Sequence, residues 1–140
     1  MLWDLVEDIK LRVHEHLGPV RGVKFFGEED RFIFSCDYRT IIISEWHSLN
    51  RVAELGVPLK KTDSPCRQVL MDYLLNTMII AIPMQRGYRL SILSFKEFSL
   101  QFVFGADFRE NHQPLQIKIL ETGRGQQSIL VVETSSVKVW

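Results

Sequence analysis

This 140-residue sequence has little of several features that mark particular protein classes. Its two cysteines, Cys36 and Cys66, are too few for a disulfide-rich scaffold or a cysteine-based zinc site. No stretch approaches the ~20 apolar residues that cross a bilayer, and no basic segment followed by an apolar run opens the chain. We therefore expect an intracellular protein, cytoplasmic or nuclear, with free thiols and no membrane span.

The sequence also has no excess of positive or negative charge, because 17 basic residues balance 17 acidic ones. The longest basic run is Lys60-Lys61, with Arg67 further along the chain. Surfaces that bind nucleic acid or anionic lipid normally carry a broader basic cluster. A nucleic-acid partner is therefore not expected, and this small basic loop supports only an alternative function.

Motifs that would indicate catalysis or a cofactor are missing. Gly123-Arg124-Gly125 lacks the lysine and hydroxyl residue of a phosphate-binding loop. His14 and His16 would share one face of a strand, but no further metal ligand follows nearby. We predict a protein that is not an enzyme, with no catalytic residue, no metal and no cofactor.

One group of residues permits two interpretations. Ser35, His16 and Asp37 have the residue types of a nucleophile, a base and its orienting acid. However, Ser35 lies inside the strand-like segment RFIFSC, whereas the serine of a hydrolase needs an exposed, strained turn. A buried polar network is the favoured interpretation, because buried polar groups need hydrogen-bond partners.

The most abundant pattern in the sequence is short apolar segments with a period of two. They are rich in Ile, Val and Phe, and turn material such as GEED, QRG and TGRGQQ separates them. This pattern predicts an all-β protein built from many short strands. The segments lie at 31–36, 40–44, 78–82, 89–93, 100–104, 116–120, 128–132 and 136–140.

The opening residues fit either of two structures. Leu2, Leu5 and Ile9 begin a helical spacing that Gly18 would end. Ile9, Leu11 and Val13 also alternate as in a strand. Local pattern leaves the choice open, and only an internal repeat favours the strands.

Four strand ends can be superposed at Trp3, Ile43, Leu93 and Trp140, at intervals of 40, 50 and 47 residues. A turn and another apolar strand follow each of the first three. A loop and a further strand come next. The repeating unit is therefore four strands over roughly 40 to 50 residues, as expected of repeat architectures.

In these residues the sequence resembles the WD-repeat β-propeller family, and the match is densest over residues 2–44. Trp3-Asp4 stands where the family's Trp-Asp pair closes a third strand, and Ile43 replaces the next tryptophan. The resemblance implies a buried hydrogen-bond network within each blade. The last repeat lacks the aspartate. The residues assigned to this structural network are Trp3, Asp4, His16, Ser35, Asp37 and Trp140.

The fold that this predicts is a partial WD-repeat-like β-propeller of four-stranded antiparallel blades. Residues 1–17 would end one blade, 18–56 and 64–105 would form two whole blades, and 112–140 would form a blade without its outer strand. About three blades do not close a ring, since propellers usually have roughly four to eight. We expect the chain to be part of a longer propeller, although ring completion by another chain or a different all-β fold is also compatible. A partner strand could add beside Trp140.

The resemblance implies a non-enzymatic scaffold for protein–protein interaction, with further blades in the same or another chain as partners. The alternative is a phosphoinositide- or nucleic-acid-binding module, but the FRRG signature of phosphoinositide-binding propellers is reduced here to Arg109. Phe102 and Phe104 are expected to pack within an outer strand. Candidate partner contacts are Trp46, His47, Lys60, Lys61 and Arg67.

Overall fold

The computed structural model describes residues 2–4, 9–11, 16, 18–37, 39–48, 50–56, 68–84, 86–108 and 113–140. At residues 2–4 and 9–11 it describes the backbone alone. All regular structure in these ranges is antiparallel β-sheet, apart from one 3₁₀ turn at Glu28–Asp30. The all-β prediction is therefore confirmed. Within the same ranges, none of the structure is a helix of the length and apolarity needed to cross a membrane.

Thirteen strands are found in these ranges. They are β1 (Leu2–Asp4), β2 (Ile9–Leu11), β3 (Gly22–Phe26), β4 (Phe32–Cys36), β5 (Thr40–Glu45), β6 (Arg51–Gly56), β7 (Leu70–Leu74), β8 (Thr77–Pro83), β9 (Tyr88–Lys96), β10 (Ser99–Phe108), β11 (Pro114–Glu121), β12 (Gln127–Glu133) and β13 (Val137–Val139). β1 and β2 pair antiparallel, with Trp3 opposite Lys10. The helical interpretation of the opening residues is therefore wrong.

The chain forms two compact units, and the first comprises Met1–Pro58. Its main sheet has the order β3-β4-β5-β6, so each strand pairs with the next one in the sequence. The two central strands are buried along almost their whole length, and the paired residues Phe34 and Ile43 are fully buried. Burial on both faces explains why these strands read as continuous apolar runs.

The second unit, Leu59–Trp140, contains a four-stranded sheet in the order β7-β8-β9-β10 and a three-stranded sheet in the order β11-β12-β13. β11 packs against β7 and β8. The two sheets share one hydrophobic core, which includes Ile79, Leu90, Ile119 and Val131. This core joins the third and last predicted blade segments into a single packed body.

One hairpin recurs in all three of the larger sheets. The backbone N–H groups of Asp37, Met84 and Glu133 each donate to the carbonyl three residues later, at 3.1, 3.0 and 2.8 Å. The same turn therefore recurs after 47 and then 49 residues. We refer to these three as the b–c turns, since each joins the second and third strands of its sheet.

The b–c turns correct the superposition made from sequence. Cys36 pairs with Ile41, Pro83 with Tyr88, and Val132 with Val137. Counting outward from these pairs places Leu90 and Val139 at the position of Ile43, in place of Leu93 and Trp140. The shifts are three residues at Leu93 and one residue at Trp140, so the superposition made from sequence equated residues on opposite faces of their strands.

The β7–β8 turn provides the first testable prediction. Leu75 and Asn76 both have positive φ, and Leu75 is 60% exposed, so its side chain gains little from packing. Asparagine tolerates this backbone region far better than leucine. Leu75→Asn should raise the free energy of unfolding by about 0.5 to 1 kcal/mol in urea denaturation. Leu115→Asn, at 59% exposure on a strand, is the matched control and should give no gain.

Candidate functional site

The structure brings three of the predicted network residues together in the first unit. Ser35 lies on β4, Asp37 begins the b–c turn that follows, and His16 comes from the segment before β3. His16 Nε2 is 2.7 Å from Ser35 Oγ, and His16 Nδ1 is 3.3 Å from Asp37 Oδ2. The side chains of His16 and Asp37 are almost completely buried, and Ser35 is 3% exposed.

Asp37 is the centre of this network. One of its carboxylate oxygens, Oδ1, accepts the backbone N–H groups of Arg39 and Thr40, each at 2.7 Å. Burial alone would raise the pKa of the Asp37 carboxyl. The hydrogen bonds from Arg39, Thr40 and Gly18, together with nearby His16, outweigh burial and hold that pKa below its ordinary value. Asp37 is therefore ionised at neutral pH and fixes its turn.

The order Asp37–His16–Ser35 has the connectivity of a nucleophile–base–acid triad. Its surroundings do not suit that chemistry, because Ser35 is buried within a strand that has a neighbour on each side. A substrate carbonyl would need to reach the serine oxygen through the sheet. Instead, the three side chains connect the segment before β3 to the b–c turn of the first unit.

The other assigned network residues lie elsewhere. Trp3 and Asp4 are on β1, but their side chains are outside the described part of the structure. Trp140 is 47% exposed, and its ring centroid is 5.0 Å from that of Phe108, so it packs on a ring at the surface rather than in a buried network. Ile43, at the position where the resemblance predicts a tryptophan, is fully buried.

A second buried network was missed by the sequence analysis. Glu133, whose side chain is fully buried, begins the b–c turn of the last sheet, where Asp37 stands in the first unit. Tyr88 Oη donates to its Oε1 at 2.6 Å, Ser136 Oγ donates to its Oε2 at 2.7 Å, and Lys138 Nζ lies 3.0 Å from Oε1. The last repeat lacks the aspartate, as the sequence shows, and this glutamate stands at the corresponding turn.

Glu133 is also held in its ionised form. Burial would raise the pKa of its carboxyl, but the hydrogen bonds from Tyr88, Ser136 and Lys138 lower it further than burial raises it. Tyr88 lies on β9 and Glu133 on β12, so this bond joins the two sheets of the second unit. The available sequence signal was a carboxylate three residues before a hydroxyl residue, as in Asp37 and Thr40.

The predicted partner contacts have different outcomes. Trp46 is only partly exposed and packs edge-on against Phe25 at 5.8 Å, so it folds over its own sheet. His47 beside it is exposed. Lys60, Lys61 and Arg67 lie outside the described residues, as do His14, Cys66 and Arg109. Within the described ranges no group of three His, Cys, Asp or Glu side chains is placed to hold a metal.

β10 corrects one further expectation. Phe102 and Phe104 are 59% and 57% exposed, so they do not pack within the sheet as predicted. β10 is the outer strand of its sheet, with β9 as its neighbour, and a bulge at Val103 interrupts their pairing. The segment was expected to be an outer strand, and it is this position that leaves both rings in contact with solvent.

Cys36 gives a prediction about reactivity. Burial raises the pKa of its thiol to about 12, with the neighbouring Asp37 charge adding to the rise and Arg21 opposing it. Its Sγ is also 2.9 Å from the Asp37 carbonyl oxygen. Since the thiolate is the reactive form, iodoacetamide at pH 8 should leave Cys36 unmodified in the folded protein and alkylate it fully in urea. Peptide mass spectrometry measures both, and rapid labelling of the folded chain would contradict the burial.

Comparison with protein-family models, with curated proteins and with solved structures found no match to this chain.

Proposed function

We propose that the chain is a segment of a WD-repeat-like β-propeller that acts as a non-enzymatic protein-interaction scaffold. The observation that carries the proposal is the recurrence of the b–c turn at Asp37, Met84 and Glu133 in sheets of sequential antiparallel strands. In two of the three turns a buried carboxylate ties the turn to another part of its unit. These carboxylates therefore stabilise the turns in which they lie, and this role involves no substrate.

Exposed apolar side chains support a role in binding proteins. On β3, Val23 and Phe25 are 59% and 38% exposed, and on β13, Val137 and Val139 are each 61% exposed. Contiguous exposed apolar surface is typical of faces that contact other proteins. In the proposed propeller, these faces would meet neighbouring blades or partner proteins.

Site-specific photo-crosslinking tests the scaffold proposal. A photoreactive phenylalanine analogue replaces Val23 in the full chain, and the same analogue at the buried Phe34 is the control. We expect discrete crosslinked proteins from position 23 that co-purify with the chain under native conditions, and none from position 34. A chain that crosslinks to nothing from position 23 would contradict the scaffold proposal.

A serine-reactive fluorophosphonate tests whether Ser35 acts as a catalytic nucleophile. Because Ser35 is buried in a central strand, we expect no covalent modification of Ser35 in the folded chain. Stoichiometric labelling of Ser35 that is lost in His16→Ala would instead support a hydrolase. Peptide mass spectrometry identifies the modified residue.

A further inference from the structure

The recurrence of the b–c turns allows the faces of the three larger sheets to be compared position by position. In the second unit, β11 places Ile117 and Ile119 against β7 and β8, within the shared core. We call the face of a sheet that carries the positions of these two isoleucines its front face. The opposite face, which carries the paired positions of Ala81 and Leu90, is its back face. In the second unit, the back face of one sheet therefore packs on the front face of the next.

The first sheet has an exposed front face. Counted from the b–c turns through the strand pairs, Val23 takes the position of Ile117. Phe25 likewise takes the position of Ile119, and a lysine lies between the two positions in both strands. The two isoleucines are buried, at 6% and 4% exposure, whereas Val23 and Phe25 are 59% and 38% exposed. Although Phe25 contacts Trp46, this front face is therefore open at β3.

The last sheet has an exposed back face. Val139 takes the position of Leu90, and Val137 takes that of Tyr88. Leu90 and Tyr88 are buried in the shared core, whereas both valines are 61% exposed. Leu120, on the same back face, is 41% exposed. The chain therefore exposes one front face and one back face, which are the two kinds of face that pack together in its second unit.

The corresponding faces of the other larger sheets are buried. On the back face of the first sheet, Phe34 and Ile43 are fully buried. On the front face of the β7–β10 sheet, Met71 is 6% exposed. Sheets of a repeat bury their apolar faces by stacking on their neighbours, so two exposed faces indicate two neighbours still to be supplied.

The two exposed faces also match in their polar groups. Within the second unit, Tyr88 on a back face donates to Glu133 of the next sheet. The exposed back face has Val137 at the Tyr88 position and therefore no donor there. On the first sheet, Asp37 stands at the Glu133 position, and it already accepts two N–H groups of its own turn. A back face without this donor thus suits a front face whose acid needs none, and the contact between them would be apolar.

We propose that the back face of the last sheet packs on the front face of the first sheet in a second copy of this chain. A second copy is indicated because one chain exposes both halves of an interface whose buried counterpart it contains. The contact joins unlike faces, so each copy can bind one neighbour at either face until a ring closes. The inference rests on the repeat of sheets that carries the proposed function, but not on the scaffold role.

Sedimentation velocity of the full 140-residue chain over a wide concentration range tests the contact. We expect the wild-type chain to form assemblies of two or more copies as its concentration rises. Val23→Glu places a charge on the front face and Val139→Glu on the back face, and each should raise the dissociation constant at least about tenfold. Val103→Glu is the matched control, because Val103 is 62% exposed on β10, and it should associate like the wild-type chain. Far-UV circular dichroism should show unchanged strand content in all three variants.

A mixing experiment determines whether unlike faces meet. In an equal mixture of Val23→Glu and Val139→Glu, the intact back face of the first variant can bind the intact front face of the second, so a two-chain complex should form. A chain that carries both substitutions has neither face intact, and it should stay monomeric when mixed with either single variant.

Three results would overturn the proposal: a wild-type chain that stays monomeric at every concentration, a mixture that forms no complex, or loss of association in Val103→Glu. These measurements use the purified chain alone. Crosslinking of a different protein to position 23 therefore tests the scaffold proposal separately.

Discussion

Replacing Asp37 with alanine is expected to lower the free energy of unfolding of the first unit by about 3 to 5 kcal/mol. The substitution leaves the N–H groups of Arg39 and Thr40 without their acceptor and removes the contact with His16. A buried polar group that loses its partner costs roughly 1 to 3 kcal/mol, and several such contacts are lost together, the hydrogen bond from Gly18 among them. Such a loss is a large fraction of the stability of an ordinary domain.

Two further variants separate the contribution of the Asp37 charge to the free energy of unfolding from that of its hydrogen bonds. Asp37→Asn keeps an oxygen that can accept the two N–H groups but removes the charge, so we expect a smaller loss of about 1 to 2 kcal/mol. Asp107→Ala is the matched control, because Asp107 also forms an ion pair but lies at the surface, and it should cost less than about 1 kcal/mol. Urea denaturation followed by circular dichroism and tryptophan fluorescence measures all three. Wild-type stability in Asp37→Ala would contradict the structural network.

The pH dependence of Asp37 has a definite sign. The folded state holds the pKa of Asp37 below its ordinary value of 3.8. Its contribution to stability is therefore fully present above that value and is lost as pH falls through the folded pKa. The stability difference between the wild-type chain and Asp37→Asn should narrow below about pH 4. A difference that stays constant down to pH 2 would show that the charge of Asp37 does not contribute.

The strands were predictable because a buried strand has a recognisable pattern of apolar residues in the sequence. β4, β5 and β8 are apolar on both faces and bounded by turn residues, so their positions agree with the predicted segments to within one residue at either end. β9 and β10 extend further than predicted, to nine and ten residues. Their extensions contain Lys96 and Asp107, charged residues that an exposed strand accepts but that sequence alternation assigns to turns.

Long-range order was less predictable than strand position. Phe102 and Phe104 have the alternation of packed residues, and only the position of β10 at the edge of its sheet leaves them exposed. The equivalence of Ile43 with Leu90 became visible only through the hydrogen bonds of the b–c turns. A periodic apolar sequence determines which residues form strands more strongly than it determines which residues are opposite one another.

The two networks show the same difference between local and distant signals. His16, Ser35 and Asp37 were grouped because their residue types match the buried network that the resemblance to the WD-repeat family implies. Glu133 was missed because its partner Tyr88 is 45 residues away on another sheet. The ETSS turn that contains Glu133 is an ordinary polar turn in sequence, and only packing of the two sheets makes its carboxylate buried.

Glu133→Ala is therefore expected to destabilise the second unit by about 3 kcal/mol or more. The substitution leaves the Tyr88 hydroxyl without its acceptor and removes the acceptor of Ser136 and the ion partner of Lys138. Glu133→Gln keeps an acceptor oxygen and should cost about half as much. Glu121→Ala, an exposed glutamate on β11, is the control and should have little effect in the same urea denaturation experiment.

A double-mutant cycle tests whether this hydrogen bond couples the two sheets. Tyr88→Phe alone should cost about 1 to 2 kcal/mol, and its cost should be much smaller when Glu133 is already alanine, because the hydrogen bond between the hydroxyl and this carboxylate is then already absent. The coupling free energy should therefore approach the cost of Tyr88→Phe. Additive effects would mean that the 2.6 Å contact contributes nothing to stability, and the sheets would then be held by the shared core of Ile79, Leu90 and Ile119 without it. With coupling present, the buried carboxylate of the last b–c turn helps to hold the two sheets together, in addition to the apolar core that they share.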